Sequence, residues 1–572
     1  MPHLYKQAKQ KRSFIPTDLS IQKWDDIHPF FDILLNSPTH THTEAEQWLT
    51  NRSELEAVLE EEMAWLYIRM NCDTQNTEYS ETFNYFIEHI EPKVSEYSNK
   101  LDNKALELIN RELINKETYY ILIRDLKTRY SIFRQENVPI QSQLQKMEQE
   151  YGSIASKMSV HINDTEYTLQ QAGVFLKDTD RAFRKKVFTT IHNRRLEDED
   201  ALNTLLTKLI QKRHTIAVQA DFENFRDYKF KELGRFDYTQ EDCFTFHSSI
   251  QQTIPPVLKE IHQNRKKSLN LPTLKPWDMD VDPDLLPALK PCDSAEDLTK
   301  KSLACLQEIS PLYASFIQTM VDEGYMDLES RIGKAPGGFN YPLYESNIPF
   351  IFMNATGTLS DVETLLHESG HAIHSCLTAE LPLIEFKSMP SEVAELASMS
   401  MELISMEHWH HFFKDTQDLK RAKRSQLEST LTILSWVVIV DSFQHWLYEH
   451  PEHTIAEREN TWLKILSQYD TGMVDWSEHK HIQKSSWQRQ LHIYEVPFYY
   501  IEYGIAQLGA IAIWKNYKSN PEQTLKNYEK FLKLGYTKPI PEIYKAAGIK
   551  FSFDKKYIEE LVTFVQKELA EL

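Results

Sequence analysis

The chain runs 151 residues before its first glycine, Gly152, and holds only 14 glycines in 572 residues. Tight turns with positive φ draw on glycine, so a large β-sandwich or barrel would need many more. Glu, Lys, Leu and Gln, all good helix formers, are dense throughout. A mainly α protein is expected. A chain this long has room for two to four average domains or one helical body with lobes.

Local patterning agrees. From Thr43 to Asn71 the apolar positions Leu55, Val58, Leu59, Met63, Leu66 and Met70 recur at helical spacing, and a second amphipathic stretch covers Glu78 to Ile114. Residues 159–169 alternate around Asn163-Asp164 and predict a small hairpin; helical patterning resumes from Asp178 to Ala217. Five prolines between Leu269 and Cys292 predict an irregular excursion, anchored by Trp277, Leu285 and Leu286. The expected division is a helical lobe with the hairpin over 1–190 and a catalytic domain over 191–572.

A net charge of −20, from 64 basic and 84 acidic residues, argues against a nucleic-acid or anionic-membrane surface. Five cysteines without paired metal spacing read as reduced, buried thiols. Met1 to Phe14 is polar and basic, unlike a secretory signal, and the apolar run Leu431 to Val440 is too short to cross a bilayer. A cytoplasmic protein is expected, with a monomer the default.

The informative chemistry is in Glu363-Thr-Leu-Leu-His-Glu-Ser-Gly-His-Ala-Ile-His374. His367 and His371 are four apart, so on a helix both imidazoles reach one metal ion, while Glu368 is turned about 100° and can touch water beside it. Ser360 with Glu363 reads as a capping box, Leu365, Leu366, Ala372, Ile373 and Leu377 supply the apolar face, and Pro382 closes the segment. A catalytic site wants a third protein ligand and one open position. A third histidine ten residues after the first is excluded, because that position is Leu377. Glu392, Glu395 and Glu402 share one face of a second helix, where burial requires a facing positive charge. Glu395 is the preferred ligand and Glu392 the alternative; Glu402 would then orient an imidazole. His374 would close the open position and is read as non-ligating, and His410 and His411 as surface or core residues. The strand Phe350 to Asn354 is either a packed strand or an open edge able to pair with an extended peptide.

Residues 361–374 followed by Ala394-Glu-Leu-Ala-Ser-Met-Ser-Met-Glu402 closely resemble the thimet oligopeptidase and oligoendopeptidase F family of zinc metallopeptidases, the oligoendopeptidase F branch above all. The likeness extends to residues 487–514, including His492-Ile-Tyr-Glu-Val-Pro-Phe-Tyr-Tyr-Ile-Glu-Tyr-Gly504, and to Phe531–Gly535 and Ala546–Ile549. It implies an elongated helical zincin divided by a deep channel, with a small antiparallel sheet beside the metal helix. It implies one Zn2+ on His367, His371 and Glu395, with Glu368 as general base and Glu363 and Glu402 behind the ligands. His492, Tyr500 and Tyr503 match substrate- and oxyanion-contacting positions, whereas Tyr494 and Tyr499 read as packing residues. Two departures stand out: Ile-Tyr-Glu-Val-Pro replaces a glycine-rich loop after His492, and Tyr536 follows Gly535 where a glycine is common.

The expected activity is hydrolysis of internal bonds in short peptides. A carboxypeptidase or dipeptidyl carboxypeptidase would share the ligands but needs a cation for the substrate carboxylate, for which Arg331, Lys334 and Arg489 are candidates. A non-catalytic helical binding protein could dispense with Glu368. Zinc is the default metal for two imidazoles and a carboxylate, although manganese or cobalt also fits such a set.

Overall fold

A computed structural model describes residues 12–331, 333–335 and 337–572; Met1 to residue 11 of the basic N-terminal segment lie outside this range. Helices dominate. The chain falls into two compact units assembled from separated segments: 1–133, 290–422 and 506–551 in the first, and 134–289, 423–505 and 552–572 in the second.

In the first unit, helix His42–Cys72 starts at a capping box in which Thr41 Oγ1 accepts from the Glu44 amide and Glu44 accepts from the Thr41 amide. Its Trp48, Leu49, Leu55, Val58 and Leu59 pack with Ile27, Phe31, Leu101, Leu108 and Leu126 from neighbouring helices. Arg52, buried in that face, donates to Glu56 at 2.8 Å and Asp102 at 2.6 Å, so its charge is matched.

The first unit also holds a three-stranded sheet of β3 (Met326–Glu329), β4 (Phe339–Tyr341) and β5 (Phe350–Ala355), with β5 in the middle. The sheet is mixed, not antiparallel as expected: β4 runs antiparallel to β5, but β3 runs parallel to it. The 20 residues between β3 and β5 are enough to return the chain for a parallel pairing. Both edges of β5 are occupied, so Phe350 to Asn354 is a packed strand and offers no free edge. Phe350, Ile351, Phe352 and Met353 are all buried, and Phe352 stacks on Phe339 with ring centroids 4.7 Å apart.

In the second unit, β1 (Ser159–Ile162) and β2 (Thr165–Thr168) form the anticipated hairpin. Asn163 and Asp164 have φ of 50° and 64°, the two left-handed residues of a type I′ turn. The proline-rich excursion is held by Trp277 and Val281, both buried; Leu285, expected as an anchor, is exposed at a left-handed φ of 54°. Leu431, Leu434, Val437, Val438 and Val440 are buried inside helix Thr416–Glu449. Among the described residues no helix is long and apolar enough to cross a membrane. Four of the five free cysteines are buried, and Cys72 is partly exposed.

Candidate metal centre

β5 delivers the chain into helix Leu359–Thr378, which carries the His-Glu-Ser-Gly-His segment. The helix begins earlier than the Ser360–Glu363 pair suggests. Thr358 is the N-cap, and the Asp361 carboxylate accepts from the amides of Thr358 and Thr356 at 2.8 Å each. Glu363 lies one turn before His367, partly buried. Asn340 of β4 donates from Nδ2 to the Glu368 carbonyl at 3.4 Å, tying sheet to helix.

Helix Ser391–Ser405 packs against the histidine helix, and Gly370 sets how closely. A Cβ at that position would sit 2.6 Å from Ser398 Cα and 2.9 Å from the Ala397 carbonyl oxygen, so any side chain would force the backbones apart. At this distance Glu395 reaches both imidazoles: its Oε2 is 3.3 Å from His367 Nε2 and 3.7 Å from His371 Nε2. The two rings are nearly perpendicular, with centroids 4.9 Å apart. One ligand atom each from His367, His371 and Glu395 lies within 4.8 Å of the others, a spacing that suits one small divalent ion. Glu392 is buried on the same helix but stands outside this group, as does His374. His374 packs on Phe531, and burial holds its pKa down at about 3, so it is neutral.

The surroundings orient these groups. His367 Nδ1 lies 2.7 Å from Glu402 Oε1, which leaves Nε2 facing Glu395. Ser398 Oγ donates to Glu395 Oε2 at 3.0 Å. Burial alone would raise the Glu395 pKa, but His371, His367 and Ser398 outweigh it and hold the carboxyl at about 2. Glu368 is buried with no nearby cation strong enough to offset desolvation, so its pKa rises to about 7. Its Oε2 has no hydrogen-bond partner. Ser398 and Gly370 were missed by sequence reasoning, although a glycine between two metal histidines and a hydroxyl three residues after Glu395 are both visible in the string.

In the second unit, His492, Tyr500 and Tyr503 form one aromatic group. Ring centroids are 4.8 Å apart for His492 and Tyr500, 5.7 Å for His492 and Tyr503, and 5.5 Å for the two tyrosines. His492 Nδ1 is 2.7 Å from Gln490 Nε2, and Gln490 Oε1 accepts from Trp436 at 2.8 Å. The loop before Tyr500 turns at Phe498, a non-glycine residue at φ 67°, whose amide donates to Gln444 and whose carbonyl accepts from Arg235. Arg235 also meets Glu502 at 2.8 Å in a buried pair. These polar supports hold the loop in place. Tyr499 packs edge-on against Tyr503, and Tyr494 is fully buried between Tyr151 and Trp487.

Of the candidate carboxylate clamps, Arg331 is bidentate to Asp327 at 2.6 Å, and Lys334 is buried against Asp327 and the carbonyls of Glu329 and Met353. Arg489 lies over the Trp436 ring at 4.7 Å. Tyr536, the other departure, is buried and accepts from Arg124 at 2.7 Å. His410 and His411 flank Glu308 at the surface.

A helical body carrying two histidines and a glutamate on adjoining helices, with a buried carboxyl beside them one oxygen of which has no hydrogen-bond partner, has the site of a metallopeptidase. The sequence pattern of peptidase family M3 matches residues 174–563, and that of the M3 N-terminal domain matches residues 14–133. The chain belongs to peptidase family M3, and its relatives place it in the oligoendopeptidase F branch. An oligoendopeptidase F homolog of Borreliella burgdorferi is 24% identical over 515 residues, covering 88% of this chain and 84% of that protein. Oligopeptidase PepF of Bacillus subtilis is 23% identical over 410 residues, covering 70% and 58%. The structure of PZ peptidase A with an inhibitor is 26% identical with a TM-score of 0.89, covering 96% of this chain and 97% of that one. Membership of a metallopeptidase family implies a catalytic metal ion.

Proposed function

We propose that the protein is a zinc-dependent endopeptidase that cleaves internal bonds of short peptides, with His367, His371 and Glu395 as the metal ligands and Glu368 as the general base. The observation that carries this reading is the convergence of three ligand atoms within 4.8 Å beside the buried carboxyl of Glu368, whose Oε2 has no hydrogen-bond partner. A zinc ion held by these three side chains would supply acidified water and a Lewis acid for the peptide carbonyl. Glu368, buried next to His367, is placed to take a proton from the attacking water and pass it to the departing amine. Glu402 fixes the His367 tautomer by accepting from Nδ1, and Glu363, one turn before His367, is assigned a place behind the ligands by its match to the family pattern. His492, Tyr500 and Tyr503 are assigned to the substrate and its developing oxyanion by their match to the family pattern; the tyrosine hydroxyls are suitable donors. Short peptides as substrates follow from the names of the relatives. Free cysteines support a reducing compartment, and we assign the cytoplasm.

An endopeptidase reading is favoured over a carboxypeptidase because Arg331 and Lys334 are committed to Asp327 and Arg489 lies against the Trp436 ring. The test is a peptide blocked at both ends, with products read by mass spectrometry. Internal cleavage that disappears in Glu368→Gln, with metal content retained, is the expected result. Failure to cut blocked peptides while shortening free C-termini would transfer the assignment to the carboxypeptidase class.

A further inference from the structure

A second set of ligand-type side chains lies in the second unit, on two helices that play no part in the centre described above. Helix Gln240–Ser268 presents Cys243 and His247, four residues apart, and helix Thr416–Glu449 presents Asp441 and His445, also four apart. Each pair therefore shares one helix face. The sulfur of Cys243, a carboxylate oxygen of Asp441 and a ring nitrogen of His445 lie within 4.8 Å of one another, and all three residues are buried. Charged and soft donors of this kind are rarely gathered in an interior without a cation to share.

The hydrogen bonding is incomplete in a directional way. Asp441 Oδ2 is 2.7 Å from His247 Nε2, and His247 is braced in turn by Ser442 Oγ at 3.1 Å from Nδ1. Asp441 Oδ1 has no hydrogen-bond partner. His445 is 2% exposed and neither ring nitrogen makes a hydrogen bond, although Nε2 lies 3.2 Å from Asp441 Oδ2. The rings of Phe230, Phe244 and Phe498 surround this imidazole and offer it no acceptor. Buried polar atoms are seldom left so in a native interior.

We propose that Cys243, Asp441 and His445 bind a zinc ion through three protein donors, with one coordination position left over, and so tie helix Gln240–Ser268 to helix Thr416–Glu449, with His247 positioning the Asp441 carboxylate. A thiolate, an imidazole and a carboxylate form a donor set that selects zinc or cobalt over magnesium or calcium. On binding, the Cys243 thiol gives its proton to solvent and the sulfur forms a coordinate bond; nothing is oxidised or reduced.

Two measurements on the full-length protein test this. Elemental analysis should read two zinc ions per chain in the wild type, one in Cys243→Ser, one in His371→Ala, and none in the double variant. Protein expressed with cobalt should show a thiolate-to-cobalt charge-transfer band, present in wild type and His371→Ala and absent from Cys243→Ser. If Cys243→Ser does not fold, the cobalt spectra of wild type, His371→Ala and Cys376→Ser decide the matter. A wild-type protein without the thiolate band, or with a metal content unchanged by Cys243→Ser, overturns the proposal.

Discussion

At the scale of single residues, Glu368 joins the chemistry to a cost in stability. Desolvation raises its pKa to about 7 in the metal-free protein, against an ordinary value near 4.3. Between those limits the folded chain binds a proton that the unfolded chain has released, so stability declines as pH rises through the window, by about 4 kcal/mol at most. Glu368→Gln removes that decline. Urea titrations of metal-free protein should show the variant gaining on wild type as pH climbs from about 4 to about 8; a difference independent of pH would contradict the burial argument. In the metal-loaded enzyme the same group gives kcat/KM an acid limb with an apparent pKa at or below about 7, because only the ionised form accepts a proton. Tyr503→Phe should lower kcat by roughly 10²- to 10³-fold with metal content unchanged, if its hydroxyl stabilises the oxyanion. The histidine pair and Glu368 were legible in the sequence because their spacing alone specifies their geometry. The preference for Glu395 over Glu392 had no such basis, since both lie on the same helix face and only the packing partner separates them.

At the scale of elements, the site depends on how closely two helices approach. Gly370→Ala places a methyl group against the Ser398 backbone, where no side chain can move aside. The expected loss is about 1–3 kcal/mol of unfolding free energy together with weaker metal binding. Urea midpoints and zinc titrations read these effects, and unaltered values would mean that the crossing tolerates expansion. The start of the histidine helix shows why caps are hard to place from sequence. Thr358-x-x-Asp361 and Ser360-x-x-Glu363 both satisfy the capping pattern, two residues out of step. The end of β5 at Ala355 selects the first, because Asp361 also takes the Thr356 amide. Strand direction was similarly hidden. The parallel pairing of β3 with β5 spans 20 intervening residues, and no local pattern encodes it. The Asn163-Asp164 hairpin was readable because its turn chemistry is local.

At the scale of the whole molecule, both compact units are assembled from segments far apart in the chain, so their integrity relies on long-range polar pairs as well as apolar packing. Arg235 and Glu502 illustrate this: they are 267 residues apart, buried, and hold the start of the helix that carries Tyr500 and Tyr503. Arg235→Met would remove the buried cation that faces Glu502 and should cost about 3–5 kcal/mol, read as a lower urea midpoint; a neutral result would mean that the pair adds nothing to stability. Glycine scarcity made the helical class legible from the start, whereas the grouping of segments into units was not, because it arises from contacts without periodic trace. The account rests most heavily on one ion bound by two adjoining helices of the first unit. Anomalous diffraction at the zinc edge from crystals of the full-length protein tests it directly. A peak about 2.0–2.2 Å from Nε2 of His367, Nε2 of His371 and a carboxylate oxygen of Glu395 is the predicted result. Zinc-loaded crystals with no density there, or with Glu395 turned away from both imidazoles, would contradict it.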